Sequence, residues 1–184
     1  MDERKNIVLI GFMGCGKTTL GKKLSIKLKY SFMDTDRYIE RKEGMSISQI
    51  FEEKGESYFR DLEKNTVEIL SKEVGNIIAT GGGIIKNEQN MHMLKETGII
   101  VYLKATPEHI FRNIANDDTR PLLQGEDKLE KIRILMEERR ELYEKYADVT
   151  VDVFPGDVNQ ITERIERKLE RYNEKGMHNT RPKS

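Results

Sequence analysis

The stretch KNIVLIGFMGCGKTTLG, residues 5–21, decides the fold. A short apolar run, Ile7-Val8-Leu9-Ile10, reads as a buried strand and stops at Gly11. Gly14 and Gly16 frame a tight turn, and Lys17-Thr18-Thr19 open a segment of helical period. The spacing fits G-x-x-x-x-G-K-[ST], a phosphate-binding loop. Glycines let successive backbone N–H groups point inward, and the following helix adds the positive end of its dipole. Gly14, Cys15, Gly16, Lys17, Thr18 and Thr19 are the candidate nucleoside-triphosphate-binding residues. Lys17 is placed to reach the β- and γ-phosphates, and the Thr18 hydroxyl to ligate Mg²⁺. The strand before and the helix after separate this reading from an ordinary glycine-rich turn.

Composition narrows the function classes. The 184 residues suffice for one well-cored domain. Lysine plus arginine number 32 and aspartate plus glutamate 32, for a formal net charge of zero. That balance argues against a nucleic-acid or membrane-surface partner, which usually calls for a basic excess. With 35% charged residues and no long apolar run, a soluble chain without a membrane span is expected. The opening residues MDERKN lack the apolar core of a signal peptide, and a single cysteine forbids an internal disulfide. Both suit a reducing cytoplasm. The balanced charge and the absence of a sustained apolar surface helix point to a monomer. Cys15 itself is either a thiol activated by Lys17 and a helix start or a small residue filling a variable loop position.

Outward from the loop, apolar runs at 6–10, 31–34, 76–80, 98–103 and 148–153 read as strands. Segments of helical period lie near 17–29, 35–54, 57–74, 87–96, 106–115, 127–146 and 157–172. Gly44 ends one helix, Ser46 and Gln49 form a capping box for the next, and Gly55 breaks the pattern again. Strands alternating with helices predict an α/β three-layer sandwich with a central five-stranded parallel sheet. In such a sheet the ligand crevice lies beyond the carboxyl ends of the strands.

Residues at those ends are the candidates for chemistry. Asp34 and Asp36 follow the second strand, either as ligands facing the crevice or as acids favoured at a helix start. Arg60 and Glu63 share a helix face, as a surface ion pair or as part of a site. Gly81-Gly82-Gly83 leaves bare backbone for a small polar ligand, or forms a flexible turn. The polar segment 116–127, with Arg120-Pro121 at its centre, would suit a lid that closes over a phosphoryl group. In the helix at 127–146, Leu129, Ile132, Leu135, Met136, Leu142, Tyr143 and Tyr146 form one apolar stripe. Arg139 falls within about 20° of its centre, whereas Arg133 and Arg140 lie about 90° or more away. A guanidinium in mid-stripe needs an anion, from the protein or from an acidic substrate.

Taken in order, GFMGCGKTT, DTD, Tyr58-Phe59-Arg60, GGG, RPLL and Arg139 with Leu142-Tyr143 resemble the motif set of the shikimate kinases. These are P-loop small-molecule kinases of the nucleoside-monophosphate-kinase-like fold. The resemblance spans about residues 5–172. It implies one kinase domain over 1–172, a mobile lid at about 116–127, and a disordered tail at 173–184. It also implies ATP as co-substrate, Mg²⁺ as cofactor and transfer of the γ-phosphoryl group to the 3-hydroxyl of shikimate. Thr18 would hold the metal, with Asp34 supporting it through water. Asp36 would bind the accepting hydroxyl and take its proton. Arg60, oriented by Glu63, and Arg139 would clamp the shikimate carboxylate, and the Gly82 backbone would hold ring hydroxyls. Lys17 and Arg120 would neutralise the transferring phosphoryl, Arg120 also belonging to the ATP site. Arg112 and the segment around Pro155 are the candidates for the adenine. Glu141 stands where the family often has proline before Leu-Tyr. A kinase of gluconate or of a nucleotide, and a non-catalytic nucleotide switch, are the competing functions; neither needs Asp36, Arg60, GGG and Arg139 together.

Overall fold

The computed structural model describes residues 4–114 and 127–179. Five strands alternate with helices as the hydrophobic pattern requires: β1 (Asn6–Ile10), β2 (Ser31–Asp34), β3 (Asn76–Ala79), β4 (Gly98–Ala105) and β5 (Val149–Val153). All pair in parallel, in the order β2-β3-β1-β4-β5. Central β1 pairs on one side with β3, Leu9 opposite Ala79, and on the other with β4, Leu9 opposite Val101. The chain's connections run to one side of β1 until β3 and to the other side from β4. The loop after β1 therefore opens at the point where the winding direction switches, and a crevice forms there.

Side chains alternate across β1. Ile7 and Leu9 enter a core closed by α1 (Lys17–Leu28), α7 (Val158–Asn179) and α5 (Pro107–Ile114). Val8 and Ile10 enter a second core with α3 (Ile47–Leu70) and α4 (Glu88–Thr97) on the opposite face. Such wholly buried aliphatic side chains contribute about 1.5–3 kcal/mol each, the main stabilisation of a sheet covered on both sides. A smaller cluster, Ile39, Ile50 and Phe59, joins α2 (Thr35–Glu43) to α3 beside the crevice.

Local chemistry sets the helix ends. Asp34 caps α2, accepting from the Arg37 N–H, and Gly44 closes it in the left-handed region at φ 68°. The capping box between Ser46 and Gln49 is present. Gly55 adopts φ 84° and ψ 170°, so α3 is two helical pieces across a kink, as the break in the pattern predicts. The helix α6 (Lys128–Tyr146) runs unbroken through Glu141, which lacks the constraint a proline would impose.

One boundary differs from expectation. The sequence predicts that helix ends at 172 and disorder begins at 173, yet α7 continues to Asn179. Asn173, Glu174 and Lys175 are acceptable helix residues, Gly176 costs only about 1 kcal/mol, and the first proline comes at 182. Polar composition alone does not end a helix. Residues 180–184 lie outside the described residues.

Candidate active site

The loop between β1 and α1 presents its backbone to the crevice. Helix α1 begins at Lys17 with no side-chain cap and no acidic residue in its first turn, so its positive end is left uncompensated. The buried Lys17 ammonium donates to the carbonyls of Gly11 at 2.7 Å and Phe12 at 2.9 Å. Its charge is thus held by the loop itself. Thr18 Oγ1 donates to Asp34 Oδ2 at 2.7 Å, while Asp34 Oδ1 accepts from the Arg37 N–H at 3.2 Å. Asp34 thus caps α2 and also faces the loop hydroxyl. A hydroxyl and a carboxylate oxygen side by side are the hard donors Mg²⁺ takes from protein, the rest coming from phosphate and water. Cys15 Sγ lies 3.8 Å from Lys17 Nζ, but the residue is only 1% exposed, and a thiol so sealed from solvent fits the filler reading better than a reactive one.

The acceptor side is assembled over the glycines that follow β3. A Cβ on Gly81 would come within 2.7 Å of Asp36 Oδ1 and 3.4 Å of Glu63 Oε1. The absent side chain is what lets two carboxyl groups descend onto the backbone here. Arg60 ion-pairs with Glu63 at 2.9 Å and with Glu56 at 3.1 Å. Glu63 is only 1% exposed, so this is no ordinary surface pair. Burial pushes the Glu63 carboxyl up despite the pull of Arg60, and the nearby Asp36 adds to the rise.

Arg139 sits in α6 at 5% exposure, with its guanidinium 5.4 Å above the Phe12 ring. Its Nη1 donates to the Gly82 carbonyl over a long 3.4 Å, and its Nε is buried with no hydrogen-bond partner. Among the described residues it has no carboxylate. By contrast Arg133 and Arg140 are half exposed and paired with Glu108 and Glu137, as the helical wheel predicts. Of the two anions that the sequence leaves open for Arg139, a protein carboxylate is not found among the described residues.

Two groups escaped the sequence reading as site residues. Tyr143, 1% exposed, donates its hydroxyl proton to the Gly82 carbonyl at 2.5 Å and stacks on Tyr102 at 5.0 Å. Burial pushes the Tyr143 phenol far up and the Tyr102 phenol up to about 12, so both remain neutral donors. In the sequence Tyr143 was one more apolar-stripe residue; its hydroxyl target could not be read. The other group is His109 with Asn113. They line a cleft of about 660 Å³ together with Gly14–Leu20, Asp34, Asp36, Gly82, Arg112 and the 153–156 segment. The adenine candidates Arg112 and Pro155 do share that cleft with the loop. A second groove of about 670 Å³, between α1 and α2, carries Lys22, Arg37 and Arg41 but neither Asp36, Arg60 nor Arg139. Arg120 and all of the expected lid but Asp127 lie outside the described residues.

The family model for shikimate kinase matches residues 13–170. The chain belongs to the shikimate kinase family. It is 48% identical over 163 residues to the shikimate kinase of Caldanaerobacter subterraneus, covering 89% of this chain and 95% of that one. It is 44% identical over 161 residues to the shikimate kinase of Thermoanaerobacter pseudethanolicus, covering 88% and 94%. Among solved structures, the Acinetobacter baumannii shikimate kinase in complex with shikimate superposes with a TM-score of 0.85 at 38% identity, over 89% of this chain and 92% of that one. A gluconokinase from Sinorhizobium meliloti superposes at 0.62 with 15% identity, over 98% of this chain and 100% of that one. That second likeness is one of fold alone, whereas the shikimate kinases share sequence along nearly the whole chain.

Proposed function

We propose that this enzyme transfers the γ-phosphoryl group of ATP to the 3-hydroxyl of shikimate, giving shikimate 3-phosphate and ADP. The observation that carries the reading is Arg139: a buried guanidinium beside Gly82, with an unsatisfied Nε and no carboxylate among the described residues. A carboxylate-bearing acceptor supplies the missing anion. Arg60, held by Glu63 and Glu56, offers a second cation to the same group.

With the carboxylate clamped between Arg60 and Arg139, the ring hydroxyls meet the Gly82 backbone and the Asp36 carboxylate. Asp36 orients the accepting oxygen and takes its proton as that oxygen bonds to phosphorus and the bond to ADP breaks. Lys17 leaves the Gly11 and Phe12 carbonyls for the phosphates, exchanging two neutral acceptors for an anion. Gly14 to Thr19 hold the triphosphate by backbone N–H groups, and Arg120 adds charge at the transferring phosphoryl. Mg²⁺, held by Thr18 and through water by Asp34, would neutralise phosphate charge. Phosphoryl transfer needs such positioning and charge stabilisation more than covalent help, and these residues provide both. The same reading assigns one kinase domain to residues 1–172, with a lid at about 116–127. It makes the enzyme a cytoplasmic monomer acting on small molecules; among the described residues no helix is long and apolar enough to cross a membrane.

ADP release measured with shikimate, gluconate and nucleoside monophosphates tests the assignment. Shikimate-dependent turnover with Mg²⁺ is expected. Turnover of gluconate or a nucleotide without turnover of shikimate would overturn it, and nucleotide binding with no product from any acceptor would favour a switch.

A further inference from the structure

His109 and Asn113 line the nucleotide cleft, yet the chemistry above gives them no task. They stand one turn apart on α5, whose first turn is set by Pro107 and by the His109 N–H donating to Thr106 Oγ1 at 3.2 Å. Asn113 Nδ2 donates to the Gly14 carbonyl at 2.8 Å and lies 3.0 Å from His109 Nε2. A carbonyl oxygen only accepts, so the amide nitrogen, not the amide oxygen, must face Gly14. The second proton on that nitrogen then points at His109, whose Nε2 must be the bare, accepting nitrogen. His109 is therefore a neutral imidazole with its proton on Nδ1. Its burial, at 9% exposure, and the neighbouring Arg112 both disfavour the cation, in agreement.

This pair holds a single peptide unit. The Gly14 carbonyl and the Cys15 N–H belong to the same planar group and point in opposite directions. The Cys15 N–H donates to the Phe12 carbonyl at 3.3 Å, so the unit is tied at both ends. Without the ties it could turn over, because glycine at φ 75° meets little steric resistance to other conformations. A flipped unit would turn its carbonyl oxygen to where the Cys15 N–H now points, against the Phe12 carbonyl, and so undo the turn that shapes the loop. The apolar side of α5 backs the same spot, since a Cβ on Gly14 would lie 2.6 Å from Ile114 Cγ2.

We propose that Asn113, oriented by His109, is a positioning residue for ATP: it locks the Gly14–Cys15 peptide in the orientation that keeps the Cys15 N–H on the Phe12 carbonyl and so holds the loop in shape for the triphosphate. The inference rests on residues 11–18 being the ATP site.

Calorimetric titration of ATP onto the shikimate-free enzyme, paired with initial rates, tests it. Asn113→Ala weakens ATP binding about five- to tenfold, the loss of one hydrogen bond, and the loss falls on KM for ATP rather than on kcat or KM for shikimate. His109→Phe keeps a ring without an acceptor and gives a smaller loss in the same direction. His109→Gln, whose side-chain oxygen accepts, restores most of it. A merely structural role would instead lower Tm in all three variants and move both KM values together, which overturns the proposal. Lys17→Ala separates the two layers of the argument. If it abolishes ATP binding while Asn113→Ala leaves binding unchanged, the lock is wrong and the ATP site stands. If neither variant affects binding, the assignment of the loop fails and the lock with it.

Discussion

The two halves of the site treat their cations in opposite ways. On the donor side Lys17 closes onto the Gly11 and Phe12 carbonyls and is satisfied within its own loop. On the acceptor side Arg139 lies buried with an unused Nε and only a long contact to the Gly82 carbonyl. A lysine ammonium is a compact charge on a flexible stem and can exchange carbonyls for phosphate by rotation. A guanidinium fixed in mid-helix cannot retreat, and its planar fork suits a carboxylate delivered in one orientation. On the proposed reading the donor half is a general phosphate receptacle, whereas the acceptor half is shaped for a carboxylate. Nucleotide affinity and acceptor specificity should accordingly be separable by mutation.

The largest expected effect tests that separation at Asp36. Asp36→Asn keeps the shape over Gly81 but removes the group proposed to take the hydroxyl proton. We expect kcat/KM for shikimate to fall by about 10²–10⁴, the usual range for a general base. ATP affinity in the empty enzyme should stay within about twofold of the parent, since a neutral amide at the start of α2 leaves the loop intact. Steady-state rates beside ATP calorimetry give both numbers; near-normal turnover would remove Asp36 from the chemistry. Arg139→Ala comes next. It should raise KM for shikimate by about 10- to 100-fold, the worth of a charge-assisted pair, and leave ATP binding unchanged. Its effect on folding distinguishes a ligand-binding role from a brace: with no described carboxylate to orphan, stability should not drop by the 3–5 kcal/mol of a broken buried ion pair. Denaturant unfolding that showed such a drop with shikimate binding spared would make Arg139 structural.

The same contrast explains what the sequence could disclose. The donor half is contiguous: strand, glycine turn, Lys17 and Thr18 follow one another, and their spacing alone specifies the geometry. The five strands and most helix ends were equally legible, because period, caps and glycines are local signals. The acceptor half gathers Asp36 from α2, Arg60 from α3, Gly81 and Gly82 from the turn after β3, and Arg139 from α6. The wheel of α6 exposed the cost of burying Arg139, but not whether an anion awaited it in the protein. That required knowing what α6 packs against. Tyr143 was hidden for a related reason, since a tyrosine in an apolar stripe satisfies the pattern whatever its hydroxyl meets. The Asn113–Gly14 contact was invisible because it joins α5 to the loop, 99 residues away in sequence, although His109 and Asn113 themselves stand one turn apart. The end of α7 is not legible from polar composition, because a helix already nucleated by packing propagates through polar residues.

Tyr143 gives a smaller test of how the acceptor half is shaped. Tyr143→Phe deletes only the hydroxyl that fixes the Gly82 carbonyl, in a site where Tyr102 still stacks. KM for shikimate should rise about fivefold and folding stability fall by about 1 kcal/mol, the worth of one hydrogen bond. ATP affinity should not change. A variant that lost ATP affinity as much as shikimate affinity would show that Gly82 serves the donor half, and the division between the halves would have to be redrawn.

The smallest effect concerns protons. Glu63 is buried against Arg60 and Asp36, and its carboxyl holds a proton to higher pH than the ordinary value of 4.5. Between that value and its raised one the folded chain binds more protons than the unfolded chain. The stability slope, proportional to protons bound unfolded minus folded, is then negative for this group. Glu63 should therefore make the protein progressively less stable as pH rises above about 4.5, until its proton is fully lost. On the donor side His109 gives the opposite sign: its pKa is lowered, so it binds fewer protons folded than unfolded and makes stability rise with pH towards 6.5. Tm measured against pH for the parent and Glu63→Gln isolates the carboxyl. The parent's Tm relative to the variant should decline across the acid range. A difference that grows with pH would mean that Arg60 dominates the carboxyl, and that the acceptor half is closed on its own ion pair much as the donor half is closed on Lys17.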